Sequence, residues 1–179
     1  MKNIPQSIYQ QALMGGILLL AGYLAMYVIS FEMMISGWSS LFVLATVVLV
    51  MVKGLRAVRV DEGSLSFKRG FGLALLGGWL ARAGYNVFNI LIFNVLNPGL
   101  KKSYADSMIE KTEESMAGFG VDLKSMEAMG VNLDDIHLQV MNSLTLWGQF
   151  KDWFFSVIVI AILALIVAAF LKTRHEFSE

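Results

Sequence analysis

Four long apolar stretches divide the chain, and each approaches the length that a helix needs to cross a bilayer. They cover residues 12–31, 35–54, 71–96 and 152–171, with polar residues concentrated between them. About 20 consecutive apolar residues span the hydrocarbon core as a helix. Lipid offers the backbone no hydrogen-bond partners, so such segments must be helical. The pattern predicts an all-α integral membrane protein with four transmembrane helices.

The composition agrees with this class. Hydrophobic residues make up 56% of the 179 residues and charged residues only 16%, whereas about 25% of a soluble domain is charged. The 14 basic and 14 acidic residues balance, which argues against a nucleic-acid partner. The absence of cysteine excludes disulfides and thiolate metal sites. We expect one membrane domain, residues 1–179, with residues 98–149 as a helical insertion.

Basic residues near the span ends predict the orientation, because cytoplasmic loops are enriched in Lys and Arg. With both termini cytoplasmic, residues 98–149 lie outside and contain four lysines against eight acidic residues. The first span is longer than the apolar core of a secretion signal, and we interpret it as a retained anchor. This orientation places eight basic residues on the inner side: Lys2, Lys53, Arg56, Arg59, Lys68, Arg69, Lys172 and Arg174.

The outer segment has the pattern of two or three short amphipathic helices. Asn97-Pro98 is a helix-start signal, and Gly118-Phe119-Gly120 is a break. Asn132 is placed to cap a further helix. The apolar faces are rich in methionine, and they either pack on each other and on the membrane surface or form an adaptable docking surface. The candidate docking residues are Tyr104, Met108, Met116, Met126 and Met129.

Glycines recur every seven residues in the first and third spans. Such a stripe lets two helix backbones approach closely in a membrane. Residues 13–23 and 75–85 also match at seven of eleven positions with an offset of 62, which leaves open a parallel duplication of a two-helix unit. The predicted packing glycines are Gly15 and Gly22 in the first span and Gly70, Gly77 and Gly84 in the third.

The third span also carries a polar face, roughly opposite its glycines at 100° per residue. Arg82 lies near the middle of this span, where an Arg costs at least about 2.5–3.5 kcal/mol on insertion scales unless it is paired or hydrated. It either snorkels or bonds to carbonyls within the bundle, or binds an anion or lipid headgroup, or docks a subunit. The candidate intramembrane polar site comprises Arg82, Tyr85, Asn86, Asn89 and Tyr23.

No pattern with specific chemistry occurs in the sequence. His137 and His175 are isolated, and the motifs of zinc proteases, phosphate-binding loops and serine hydrolases are missing. We therefore expect no catalytic residues, no metal and no cofactor.

Several of these features together resemble a known family. A Ser66-Phe67-Lys68 entry leads into the third span, which closes with Asn97-Pro98, and an acidic, Met-rich helical segment (residues 104–129) precedes a last span with a basic end. The pattern, strongest over residues 66–116, resembles the bacterial four-helix membrane family catalogued as domain of unknown function 4199. The resemblance implies four spans in a bacterial inner membrane with a periplasmic outer segment. It implies no activity, and Arg82 is not part of it.

Two hypotheses follow. The first is a non-catalytic assembly or accessory subunit that self-associates or docks on a larger membrane complex, with membrane lipid as its surroundings. The alternative is a small transporter, channel or lipid- and anion-handling protein that uses the face around Arg82.

Overall fold

The computed structural model describes residues 4–118, 120 and 132–172. In these residues the chain is 90% helical and contains no strand, which confirms the all-α prediction for that part. The elements are α1 (Gln6–Ile29), α2 (Phe31–Ile35), α3 (Gly37–Glu62), α4 (Phe67–Ile90), a π-helix (Leu91–Leu96), α5 (Leu100–Gly118), α6 (Leu133–Ser143) and α7 (Leu146–Leu171).

Three of the described helices, α1, α3 and α7, are long and apolar enough to cross a membrane. Three of the four predicted spans are therefore supported by length and composition. The remaining one, residues 71–96, is helical over most of its length, but α4 is not among these three candidates. The glycines, Arg82 and Asn86 of α4 lower the mean hydropathy of its most apolar stretch below those of α1, α3 and α7.

The three candidate spans expose large apolar side chains. Val28 on α1 is 79% exposed, Trp38 on α3 77% and Phe170 on α7 84%. Exposed apolar surface of this extent is typical of contact with lipid or with another protein.

The chain divides into two compact units, Met1–Phe88 with Trp153–Glu179, and Asn89–Asp152. In the first unit α1 packs on α3. Its fully buried side chains include Leu19, Leu55, Ala81 and Phe88. Exposed apolar side chains lie on the same helices, so each of these helices has one buried face and one exposed face.

The second unit contains the π-helix, α5, α6 and the first turns of α7. Asn132 caps α6, since its side-chain oxygen accepts from the backbone N–H of Asp134 at 2.9 Å, as the sequence predicts. α5 ends at Gly118, at the predicted break, and Gly120 has a φ of +77°. The core is formed by Ile92, Phe93, Ala105 and Leu144.

Candidate functional site

α1 and α4 approach each other closely where the backbones of two glycines meet. A Cβ atom on Gly84 would lie 2.7 Å from the Cα of Gly16 and 2.6 Å from its carbonyl carbon. Only glycine at position 84 permits this contact, because ordinary contact begins at 3.4 Å. Gly16 is not among the residues selected from the sequence, because it falls outside the seven-residue stripe.

The other predicted packing glycines face neighbours within the first unit. Gly15 in α1 and Gly77 in α4 are equivalent in the sequence repeat, and both face Val50 of α3. A Cβ on Gly22 would lie 2.5 Å from the ring of Phe42. The remaining one, Gly70, faces Leu65 at 3.4 Å and Ala168 at 3.6 Å.

A chain of contacts leads from Arg82 across α1 to α3. The guanidinium carbon of Arg82 lies 5.2 Å from the ring centroid of Tyr85, within reach of a cation–π interaction. The ring of Tyr85 meets the edge of Tyr23 with centroids 4.8 Å apart. The buried Tyr23 hydroxyl donates to the backbone carbonyl of Ser39 at 3.1 Å. Three residues of the predicted polar site, Arg82, Tyr85 and Tyr23, are thus in contact within the first unit.

The two remaining residues of the predicted polar site belong to different units. Asn86 is 4% exposed and lies in the first unit, whereas Asn89 is 3% exposed and lies in the second. The amide nitrogen of Asn89 donates to Gln149 Oε1 at 3.2 Å. Near the C-terminal end of α4, Gly84 and Tyr85 both contact α1, so the predicted opposition of glycines and polar residues does not hold in this part of the helix.

Two tryptophans join α4 to α7. The rings of Trp79 and Trp153 are parallel to within 2°, with centroids 4.3 Å apart. Each indole N–H donates to the other residue's backbone carbonyl, at 3.0 Å and 3.1 Å. The stacked rings and the two hydrogen bonds therefore fix Trp79 of α4 opposite Trp153 of α7. The sequence places Trp153 at a span end and gives no sign of this partner.

An apolar groove of about 370 Å³ runs between α1 and α4 in the first unit. Ala12, Gly16 and Gly84 line it with small residues. Leu13 and Ile17 also line it, and they are 67% and 57% exposed. The surface thus combines a recess with large apolar side chains that project beside it.

The second unit contains a polar cluster around Asn94 of the π-helix. The Asn94 amide nitrogen donates to the Leu144 carbonyl at 2.9 Å, and Lys101 Nζ donates to Asn94 Oδ1 at 2.8 Å. Gln149 Nε2 donates to the Ser143 carbonyl at 2.9 Å. These bonds tie the π-helix to α5 and to the turn between α6 and α7. A π-helix often marks a functional position, and the sequence contains no signal for it.

The Met-rich candidate docking surface is partly internal. Tyr104 packs on Phe93 with centroids 5.3 Å apart, and Met108 and Met116 are half-buried on α5. The other two candidates, Met126 and Met129, lie outside the described residues.

An acidic recess of about 250 Å³ lies beside α5 and α6 and includes Glu110, Glu113 and Asp134. His137 Nε2 lies 2.9 Å from Asp106 Oδ1 there, so His137 has a partner 31 residues away that its isolation in the sequence conceals. Within the described residues, no group of three or more His, Cys, Asp or Glu side chains is arranged to hold a metal ion.

Comparison with known proteins identifies a family. No curated protein and no solved structure matches the chain significantly. A family model described as "Protein of unknown function (DUF4199)" matches residues 10–173. This match covers most of the chain and agrees with the resemblance in the sequence, so the chain belongs to the DUF4199 family of proteins of unknown function.

Proposed function

We propose that this chain is a four-span protein of the bacterial inner membrane, with both termini cytoplasmic and residues 98–149 periplasmic. The distribution of basic residues supports this orientation. α4 is the fourth span in this proposal. Its less apolar character is tolerable because α1 covers it at Gly84 and α7 covers it at Trp79. A span covered by other helices needs fewer apolar residues than one that faces lipid.

The proposed role is non-catalytic assembly in the bilayer, and the occupant of the α1–α4 groove is a second copy of this chain. The observation that carries this proposal is the groove itself. Small residues allow close helix contact in a membrane. A two-fold interface requires a self-complementary surface, and the projecting Leu13 and Ile17 beside the recess of Ala12 and Gly16 provide one.

Cysteine cross-linking in native membranes tests the proposal, because the chain has no cysteine of its own. The test variant is Ile17→Cys, and the matched control is Ile162→Cys on α7, since these residues are 57% and 56% exposed. Disulfides form only when Cα atoms come within about 7 Å. We expect oxidation to give a dimer for Ile17→Cys and none for Ile162→Cys. Equal dimer from both variants, or none from Ile17→Cys, would refute association through the groove.

A second candidate role, handling of an anion or lipid, is favoured by the half-buried Arg82 in α4, which lies near the middle of the predicted span 71–96. Native mass spectrometry distinguishes the two roles. Discrete dimers, or a stoichiometric second membrane protein, support assembly. A monomer that retains an anionic lipid, and loses it in Arg82→Ala, supports the second role.

A further inference from the structure

The cytoplasmic end of α3 and the start of α4 form a fixed hairpin, residues 53–69, which we call the basic hairpin. α3 continues to Glu62, well past its apolar stretch. Leu55 and Val58 are fully buried in these last turns, and Leu65 in the connection is 1% exposed. Gly63 closes α3 in the left-handed conformation with a φ of +71°. The hairpin is therefore packed onto the first unit.

The exposed surface of this hairpin is basic. Lys53, Arg56, Arg59 and Lys68 are all exposed. Glu62 is paired with Arg69, so Asp61 is the one carboxylate of residues 53–69 outside that pair. The hairpin has five cationic residues and two acidic ones. The Arg69–Glu62 pair neutralises one of each, which leaves four cations and Asp61. The surplus charge projects outward.

Apolar side chains project from the same hairpin. Val60 is 83% exposed and Phe67 is 41% exposed. Cations interspersed with exposed apolar side chains are typical of segments that lie at the boundary between headgroups and acyl chains.

The helical rise places Lys53, Arg56 and Lys68 at headgroup depth, and Arg59 just beyond it, when α3 and α4 span the membrane as proposed above. Headgroups add roughly 5–7 Å to each side of the hydrocarbon core. At 1.5 Å per residue, Arg56 lies about 5 Å and Arg59 about 9 Å beyond Lys53 along α3. Lys68 lies about 5 Å beyond Phe71, where the apolar part of α4 begins. Both helices thus bring cations to the same layer.

We propose that the basic hairpin binds the headgroup phosphates of anionic phospholipids in the cytoplasmic leaflet. Lys53, Arg56, Arg59 and Lys68 supply the cations, and Phe67, about 6 Å beyond Phe71, is the exposed apolar side chain nearest the acyl boundary. This inference rests on the proposed membrane arrangement and is independent of dimerisation through the groove. Basic clusters next to the cytoplasmic end of a span attract anionic lipid by about fivefold in affinity for each cation.

Native mass spectrometry with added lipid tests this inference on the full chain. Phosphatidylglycerol and phosphatidylcholine with identical acyl chains are titrated separately, and bound lipids are counted for monomer and dimer peaks. We expect phosphatidylglycerol to bind more tightly. The triple variant Arg56→Gln, Arg59→Gln, Lys68→Gln should weaken it roughly a hundredfold. The matched control is Lys102→Gln, Lys111→Gln, Lys151→Gln, which removes three cations outside the hairpin and should leave the affinity unchanged.

Equal binding of the two lipids, or an equal loss in both triple variants, would overturn the inference. The single variants Arg56→Gln and Arg59→Gln change only exposed side chains and should fold normally. Each should lower the affinity for phosphatidylglycerol about fivefold. The substitution pair Arg56→Lys and Arg59→Lys keeps the charge and should retain binding. Because each mass peak reports chains and lipids separately, failure of dimerisation and failure of lipid binding are distinguishable.

Discussion

The contact between Gly16 and Gly84 allows a sharp test of the first unit, through the variant Gly84→Ala. The added Cβ would lie 2.6 Å from the Gly16 carbonyl carbon, against 3.4 Å for ordinary contact. The carbonyl oxygen of Gly16 would lie closer still, and backbone atoms cannot rotate away. α1 and α4 must therefore separate by more than about 0.8 Å, which forfeits at least a quarter to a half of each dispersion contact across the interface. Gly72→Ala is the control, because it lies on the same helix with no atom within 4 Å of an added Cβ.

The two substitutions should change the free energy of unfolding in different ways. Overpacking costs about 1–3 kcal/mol, and Ala returns about 1 kcal/mol of helix propensity over Gly. With the contact on backbone, we expect Gly84→Ala to lower the free energy of unfolding by about 2 kcal/mol, or the Tm by roughly 4–8 °C. Gly72→Ala should leave the Tm unchanged or raise it. Thermal unfolding in detergent, followed by circular dichroism, measures both. Equal Tm values for the two variants would refute the close contact.

Two further predictions concern the other polar contacts. In a double-mutant cycle of Trp79→Leu and Trp153→Leu, the two changes should couple by about 1 kcal/mol in unfolding free energy, because either one removes a ring and so breaks the stacked pair. Additive losses would show that the rings do not interact. Asn94→Ala leaves the Leu144 carbonyl and Lys101 Nζ without their partner and should destabilise the turn between α6 and α7 by about 1–3 kcal/mol, measured as faster amide hydrogen exchange there. The exposed Asn142→Ala should leave that exchange unchanged, and identical rates in the two variants would contradict the bonding at Asn94.

The sequence predicts what depends on local pattern. Apolar length locates α1, α3 and α7, because a span must match the bilayer. The Asn132 cap and the break at Gly118 follow from side-chain and backbone preferences that act over a few residues. The third predicted span is harder, since most of its glycines meet other helices and Arg82 lowers its hydropathy, and neither feature follows from apolar length.

The sequence does not reveal contacts between distant residues. Nothing in the pattern pairs Trp79 with Trp153 across 74 positions, or His137 with Asp106. The seven-residue stripe identifies Gly84, but its partner Gly16 lies next to the stripe in α1, and only the packed helices show the contact. The π-helix at Asn94 depends on bonds to Leu144 and Lys101, which no local preference encodes.

Topology mapping tests the central claim, a four-span protein in which α4 crosses the membrane. In this cysteine-free chain, Ser64→Cys between α3 and α4 and Ser103→Cys in α5 are both exposed reporters. A membrane-impermeant maleimide should label Ser103→Cys from the periplasmic side of intact cells and reach Ser64→Cys only after lysis. Labelling of both positions from the same side would contradict the account, because α4 would then not cross the membrane.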